Sequence, residues 1–406
     1  MQKASKQRQF GSTMIVIGTQ IGAGILAIPI ITAELGFPIS IFFMFICWAL
    51  MTYTAILVSD ITLTMPKGTS FGRMARNTLG FPGAVISWLS FLLLLYTISV
   101  AYISAASSAF HHLVSFIPVS AWAVIFVAVF AAITLFGTGS IDWVNRILLT
   151  VKLLFLIIVF FVLMPFIHLP NLEPHTFGLM SVFLAIPVLI TSFTSHIIVP
   201  PLVDYLNRDK KAIFRVMIIG SSIPFLLYVG WEIAVLGTLP LDGPISFMQS
   251  IFSHKAVSSA NIGDVLAALS EKISKAHAAK FSVNVFTDIS VMTSYLGVSL
   301  ALYHFLTDSF RLKSIKQPIL RGTIGTILCF LIPLIIILLD PDLFIVAISY
   351  VGVFVAIMFL LLPIAMAVKI KNRKDTEFSY KLSRQYWVWP IVFIAGTSVI
   401  ICQFLS

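Results

Sequence analysis

Eleven apolar stretches follow one another along this chain, at about residues 12–34, 38–63, 83–113, 119–138, 144–167, 177–202, 213–239, 281–308, 319–339, 342–368 and 386–405. Each is long enough to cross the ~30 Å hydrocarbon core of a bilayer as a helix. Turn signals separate them, among them Gly36-Phe37-Pro38, Pro66-Lys67-Gly68, Pro82-Gly83, Pro118, Pro170, Pro240, Pro318, Pro341 and Pro390. Charged residues make up 10% of the chain, against about 25% in soluble domains, so most of the surface has to face lipid. The expectation is an all-α integral membrane protein with eleven transmembrane helices, residues 1–406 forming one membrane domain.

The basic residues set an orientation. With the N-terminus in the cytoplasm, all Lys and Arg fall on the cytoplasmic side except Lys255, Lys272, Lys275 and Lys280, which share one long outer segment. Long segments escape the positive-inside bias. The alternation explains the formal net charge of +10 without a nucleic-acid partner, and eleven spans leave the C-terminus outside. Residues Met1 to Gln9 are polar and basic with no signal-peptide core, so the first span is expected to be retained. Cys47, Cys329 and Cys402 lie in different apolar segments, without the spacing of a disulfide framework or a metal site.

Two segments between spans read as interfacial helices. Residues 69–80 lie inside, between spans two and three. Residues 260–276 lie outside, between spans seven and eight, with Ile262, Val265, Leu266, Leu269 and Ile273 at helical spacing. The chain therefore reads twice in one order: broken span, span, interfacial helix, and three further spans. An odd number of spans per copy inverts the second copy relative to the first, as in many secondary transporters. The repeats are expected over 12–167 and 177–368, with 386–405 as an extra helix.

Each repeat opens on a weak point. In span one, Gly18-Thr19-Gln20-Ile21-Gly22-Ala23-Gly24 places three glycines in seven residues at mid-membrane. Non-helical backbone survives there only when protein shields it or it lines a polar cavity. The competing reading is a tight helix–helix crossing built on small residues. In span six, Thr191-Ser192-Phe193-Thr194-Ser195-His196 runs into Pro200-Pro201. Hydroxyls, a histidine and two helix-breaking prolines together are costly in hydrocarbon, although Ser and Thr can bond to their own helix's carbonyls. Paired breaks bare amide donors and carbonyl acceptors side by side, which suits a zwitterion. The carboxylate is expected on the amides and positive end of the half-helix beginning at Gly22, Ala23 and Gly24. The ammonium is expected on carbonyls near Thr19, Gln20 and Ser192.

The run Gly18-Thr19-Gln20-Ile21-Gly22-Ala23-Gly24-Ile25-Leu26-Ala27-Ile28-Pro29 resembles the first-span motif of the bacterial hydroxy and aromatic amino acid permeases. Tyr102-Ile103-Ser104, Asn145-Arg146 with Lys152, Ala185-Ile186-Pro187-Val188 with Thr191-Ser192-Phe193, His196 and Val199-Pro200, Thr293-Ser294-Tyr295-Leu296-Gly297-Val298, and Tyr350-Val351-Gly352 extend the resemblance over nearly the whole chain. It implies a LeuT-like fold of two inverted five-helix repeats plus an eleventh helix, with the first and sixth helices discontinuous. It also implies proton-coupled symport of an aromatic amino acid, above all L-tyrosine, into the cell across the bacterial inner membrane by alternating access. Thr194 and Ile197 stand where aromatic members carry glycines, and His304 stands where the motif has an acid. A serine or threonine symporter of the same family is the alternative.

Phe193, Thr194 and His196, with Tyr96 or Tyr102, are the expected walls of the substrate's side-chain pocket; ordinary aromatic packing is the competing reading for the tyrosines. In LeuT-like sodium symporters a cation rests between spans one, five and eight. Thr293 and Ser294 resemble the span-eight hydroxyl pair of that site, and Lys152 is expected to place its ammonium where sodium would sit. H+ is then the coupling ion in preference to Na+, with no cofactor or metal. Snorkelling of Lys152 to the cytoplasmic surface is the competing arrangement. Asp288 and Glu232 are further intramembrane acids that could relay protons. The partners expected are an amino acid and the lipid bilayer, with no nucleic acid; no feature fixes the oligomeric state, and a monomer is compatible with the sequence. A membrane enzyme would need a polar catalytic cluster, and Asp242, His254, Asp264, Glu271 and His277 show no such spacing. A channel would repeat pore-lining rings in place of paired helix breaks.

Overall fold

The computed structural model describes residues 4–136, 139–175, 177–252, 262–273, 276–310, 312, 317–372 and 378–405. Every regular element among them is helical. Helix α1 (Lys6–Gln20) starts where the Ser5 hydroxyl accepts from the Arg8 amide, an N-cap. The chain leaves helical geometry at Ile21 and Gly22, and α2 (Ala23–Thr32) resumes the course. A 3-10 turn over Ala33–Leu35 leads to α3 (Gly36–Leu63). Gly36 has φ +69° and abuts the backbone of Glu173 and His175, so a glycine is needed there. Helix α4 (Phe71–Leu113) is bent at Gly80 (φ 75°), just before Pro82. That bend separates a short first limb from the long second one, at the boundary expected between an interfacial helix and span three.

Helices α5 (Val119–Phe136) and α6 (Gly139–Leu163) follow, then α7 (Leu179–Ser192), a non-helical gap, a 3-10 turn at His196–Ile198 and α8 (Val199–Tyr205). Helix α9 (Lys210–Thr238) is capped by Asp209, which accepts from the amides of Lys211 and Ala212. Next come α10 (Ile262–Lys272), α11 (His277–Ser309), α12 (Pro318–Leu339) and α13 (Phe344–Val355). A π-helical turn at Ala356–Leu361 joins α13 to α14 (Leu362–Lys371), and α15 (Val388–Leu405) ends the described chain.

Eight helical runs among the described residues are long and apolar enough to cross a membrane, and Val119–Leu135 and Thr150–Phe166 are shorter apolar helices. This count differs from eleven for local reasons. The 3-10 turn and Gly36 join the second half of the first apolar stretch to the next, giving one run over Gly24–Leu63. Residues 137–138, inside the expected fourth span, lie outside the described residues. The molecule is a multi-pass helical membrane protein. Its outward side chains agree, since Phe42, Phe161, Leu339 and Phe404 are exposed on transmembrane helices.

Helix α1 packs against α9, and the buried α2 packs against α7, which also packs on α13. Small residues permit the closest approaches. A Cβ on Gly220 would lie 2.8 Å from Val16, and one on Gly352 would lie 2.5 Å from the Pro187 carbonyl oxygen. At the basic end, Arg208 donates to the carbonyls of Thr62 (2.5 Å) and Met65 (2.7 Å), and Asp204 accepts from the Gly68 amide (2.7 Å). The N-terminal segment joins there too, through Ala4 N–H to Asp209 and Arg8 to Asn207. At the opposite end α10 lies across α4, its Gly263 amide donating to Ser108 Oγ at 3.1 Å. Ile262, Val265, Leu266 and Leu269 of α10 are buried, as the amphipathic spacing of that segment predicts.

Candidate functional site

The two gaps in the helices meet in the middle of the molecule. At the first, Ile21 has ψ 89° and Gly22 has φ −129° and ψ −148°, both outside helical geometry. At the second, α7 stops at Ser192, and Phe193 (φ −99°, ψ 18°) and Ser195 (φ −135°, ψ 8°) carry the chain to the 3-10 turn. Gly24 packs directly on the Ser192 side chain, so close that any Cβ there would overlap it. The Gln20 amide donates to the Phe193 carbonyl and approaches Ser195 Oγ, both at 3.2 Å. The breaks are therefore joined by contact and by hydrogen bonds.

Carbonyls freed by the breaks are met by side chains from other helices. Tyr228, on α9, shares its hydroxyl between the carbonyl oxygens of Gln20 (2.6 Å) and Ser192 (3.1 Å). Lys152, on α6, donates from Nζ to the Ile21 carbonyl at 2.7 Å and is 1% exposed. It lies at the break, away from the surface to which a lysine could snorkel. Gly22 faces the Tyr102 hydroxyl of α4 and the Ser294 hydroxyl of α11, which an added Cβ would approach to 2.6 and 3.6 Å. Residues from α1, α4, α6, α7, α9 and α11 thus converge on two turns of unwound backbone.

The donors and acceptors are distributed unequally. The N-cap residue of α2, Gly22, has no side chain with which to cap the helix, and the leading amides and positive dipole end of such a helix favour an anion. After the second break, Pro200 and Pro201 fall in the first turn of α8 and carry no N–H. Backbone donors at a helix start are therefore richer at the first break than at the second. The carbonyls at the breaks are those of Gln20, Ile21, Ser192 and Phe193.

Other residues singled out from the sequence lie further apart. Thr19 is exposed and donates back to the Ile15 carbonyl at 2.7 Å, within its own helix. Phe193 turns its ring toward α9, 5.3 Å from the Tyr228 ring and 6.2 Å from that of Phe225. Thr194 bonds to the Ile190 carbonyl. His196 is fully buried, stacked on Phe359 (4.8 Å between centroids, 18° between planes), with Nε2 2.8 Å from Thr54 Oγ1. The π-helical turn carries the Phe359 that the imidazole stacks on. Tyr96 donates to the Leu328 carbonyl of α12 (2.8 Å). Thr293 is engaged by the Ile289 and Ser290 carbonyls of its own helix, so of the span-eight hydroxyl pair only Ser294 reaches the break. Asp288 Oδ1 is buried and has no hydrogen-bond partner among the described residues. Glu232 accepts from the Thr32 hydroxyl at 2.6 Å, at the far end of α2.

Tyr228 is the residue that the sequence reading missed. It stands among apolar residues in a chain with 10 tyrosines, and neither spacing nor motif marks it. Its one signal is depth. It lies near the middle of α9, whereas membrane tyrosines gather at the interfaces.

Comparison with known sequences assigns the whole chain to a family. Residues 5–403 match the sequence model of the tryptophan/tyrosine permease family. Tyrosine-specific transport system 2 of Haemophilus influenzae is 30% identical over 98% of this chain and 97% of its own length. Glutamine transporter 2 of Aliivibrio fischeri is 31% identical over 92% of each chain. The tryptophan-specific transport protein of Haemophilus influenzae is 28% identical over 97% of this chain and 94% of its own.

Proposed function

We propose a function from one premise: the chain belongs to the tryptophan/tyrosine permease family and is a transport permease, not an enzyme. It carries an aromatic amino acid, L-tyrosine above all, across the bacterial inner membrane. The supporting observation is the meeting of the two helix breaks, where uncapped amides of α2 lie beside carbonyls of Gln20, Ile21 and Ser192. The substrate carboxylate takes the Gly22–Gly24 amides, and the ammonium takes the carbonyls that Tyr228 and Lys152 engage in this structure. In this reading Tyr102, Phe193 and Thr194 border the substrate side chain, and His196, walled by Thr54 and Phe359, holds the second break in shape.

Transport is driven by protons, with Lys152 as carrier and Ser294 beside it at the break. Thr293 and Asp288 complete the polar lining on α11. No cofactor is needed, and H+ serves as coupling ion in preference to Na+. The layout that accommodates this is LeuT-like, with inverted repeats over 12–167 and 177–368, an extra helix at 386–405, the N-terminus cytoplasmic and the C-terminus outside. Gln20, Ser192, Phe193 and Lys152 are each at most 4% exposed, so a ligand can enter only when helices part, as alternating access requires.

The test is uptake of labelled tyrosine into proteoliposomes, with pH and sodium gradients imposed separately. Competition by unlabelled tryptophan, phenylalanine, serine, threonine and glutamine ranks the substrates. Concentrative tyrosine uptake driven by the pH gradient is expected. Preference for serine or threonine would replace the aromatic assignment by the alternative, and accumulation driven only by sodium would overturn the coupling ion.

A further inference from the structure

At the basic end, α9 and the segment before α15 enclose a groove of about 800 Å³ that the transport site does not use. Its two walls come from distant parts of the chain. Lys210, Lys211 and Arg215 of α9 supply one, and Lys381 the other; all four are exposed. Phe214, Ile218 and Ile219 continue the α9 wall as an apolar strip. Phe214 and Ile218 are one helical turn apart, as are Lys211 and Arg215, so a basic stripe and an apolar stripe run side by side.

The groove is built on a fixed floor. The amides of Ser379 and Tyr380 donate to the fully buried Asp60 at 2.8 and 3.0 Å. Tyr380 reaches across to the Lys210 carbonyl (3.1 Å), and its ring lies 5.6 Å from Phe214. Burial, with Asp60 and Asp209 nearby, holds the Tyr380 phenol above its ordinary pKa, so it remains a hydrogen-bond donor. Tyr386 and Trp387, exposed on the same connecting segment, are side chains typical of a membrane–water interface.

Depth decides what fits. At a helical rise of ~1.5 Å per residue, Ile219 lies about 13 Å deeper than Lys210. The polar region on each side of a bilayer is only about 5–8 Å thick. Lys210 and Lys211 therefore stand at headgroup level, Phe214 and Arg215 at its inner edge, and Ile218 and Ile219 among the acyl chains. A soluble anion would use only the first of these surfaces.

We propose that this groove binds an anionic phospholipid, its phosphate among Lys210, Lys211, Arg215 and Lys381 and one acyl chain along Phe214, Ile218 and Ile219. Four cations from two walls match a headgroup bearing two phosphates better than one bearing a single phosphate. The bound lipid bridges α9 and the segment leading to α15.

The full-length protein in detergent is titrated with diphosphatidylglycerol, with phosphatidylcholine and with inorganic phosphate, and bound lipid is counted by native mass spectrometry alongside the melting temperature. Diphosphatidylglycerol is expected to bind and stabilise, phosphatidylcholine and inorganic phosphate to do neither. Removing all four cations (Lys210→Gln, Lys211→Gln, Arg215→Gln, Lys381→Gln) is expected to weaken lipid binding by about a hundredfold or more. A control losing Lys67, Arg73, Arg76 and Lys369, exposed cations outside the groove, should bind normally. If the fourfold variant does not fold, Lys211→Gln and Lys381→Gln singly, one from each wall, should each weaken binding about fivefold. Unchanged binding in the groove variants, or an equal loss in the control, overturns the proposal. Stabilisation by inorganic phosphate alone overturns the lipid as the ligand.

Discussion

Replacing Gly22 by alanine puts a methyl group where the Tyr102 hydroxyl already lies. The new Cβ would be 2.6 Å from that oxygen, about 0.8 Å inside the 3.4 Å at which ordinary contact begins. Gly22 has φ −129°, so alanine meets no left-handed strain and the penalty is steric. Tyr102 is only 4% exposed and has little room to retreat. Overpacking of this kind costs about 1–3 kcal/mol, or about 5–150-fold in tyrosine affinity when the strain falls on the ligand-binding form. Tyr102→Phe deletes the offending oxygen. The double variant should therefore bind better than the two separate losses predict, with a favourable coupling of at least about 1 kcal/mol. Labelled-tyrosine binding to purified protein, with uptake into proteoliposomes at matched insertion, measures all four corners of the cycle. Wild-type affinity in Gly22→Ala, or strict additivity, would refute the close approach of α2 and α4 on which the site is built.

Further outcomes follow from the same geometry. Tyr228→Phe strands the Gln20 and Ser192 carbonyls, and thermal unfolding should show the ligand-free protein weakened by about 1–3 kcal/mol, with saturating tyrosine narrowing the gap as its ammonium takes their place. Lys152→Met keeps the length of the side chain and removes its proton. Exchange of labelled for unlabelled tyrosine should persist while a pH gradient no longer concentrates it, and intact concentrative uptake would remove Lys152 from coupling. Thr54→Val deprives buried His196 of its hydroxyl partner, so stability should fall by about 1–3 kcal/mol. The order of competing amino acids should stay unchanged; a reordered panel would put the imidazole in the substrate pocket.

Much of this architecture is written locally in the sequence. Glycines at 18, 22 and 24, and prolines at 200 and 201, mark both gaps because backbone conformation depends mainly on the residues that adopt it. The amphipathic spacing of α10 survives for the same reason. What the sequence conceals is partnership across the fold. Lys152 lies 131 positions from the carbonyl it meets, and Tyr228 lies 208 from Gln20. Both belong to helices whose patterns speak only of lipid and neighbours. The His196–Phe359 stack depends in addition on a π-helical turn, for which hydrophobic periodicity offers no cue. Thr293 and Ser294 illustrate the limit within one dipeptide. One turns back on its own helix and the other reaches Gly22, a choice made by the rotation of α11 in the packed bundle.

The two gaps look alike as interruptions yet differ as chemistry, and this gives the site its polarity. A helix that restarts with amides presents a partial positive charge; one that restarts through Pro200 and Pro201 presents fewer donors. Conversely, both helices that stop short leave carbonyls, and here Tyr228 ties one carbonyl from each to a single hydroxyl. Under the proposed function, a zwitterion closing the gaps would have one favoured sense, carboxylate toward α2 and ammonium toward the ends of α1 and α7. Because Tyr228 stands on α9, movement of α9 relative to α1 and α7 has to break or reform those bonds. On the proposed function the ammonium and the Tyr228 hydroxyl would compete for the same acceptors, which would tie occupancy of the site to the packing of α9 at mid-membrane.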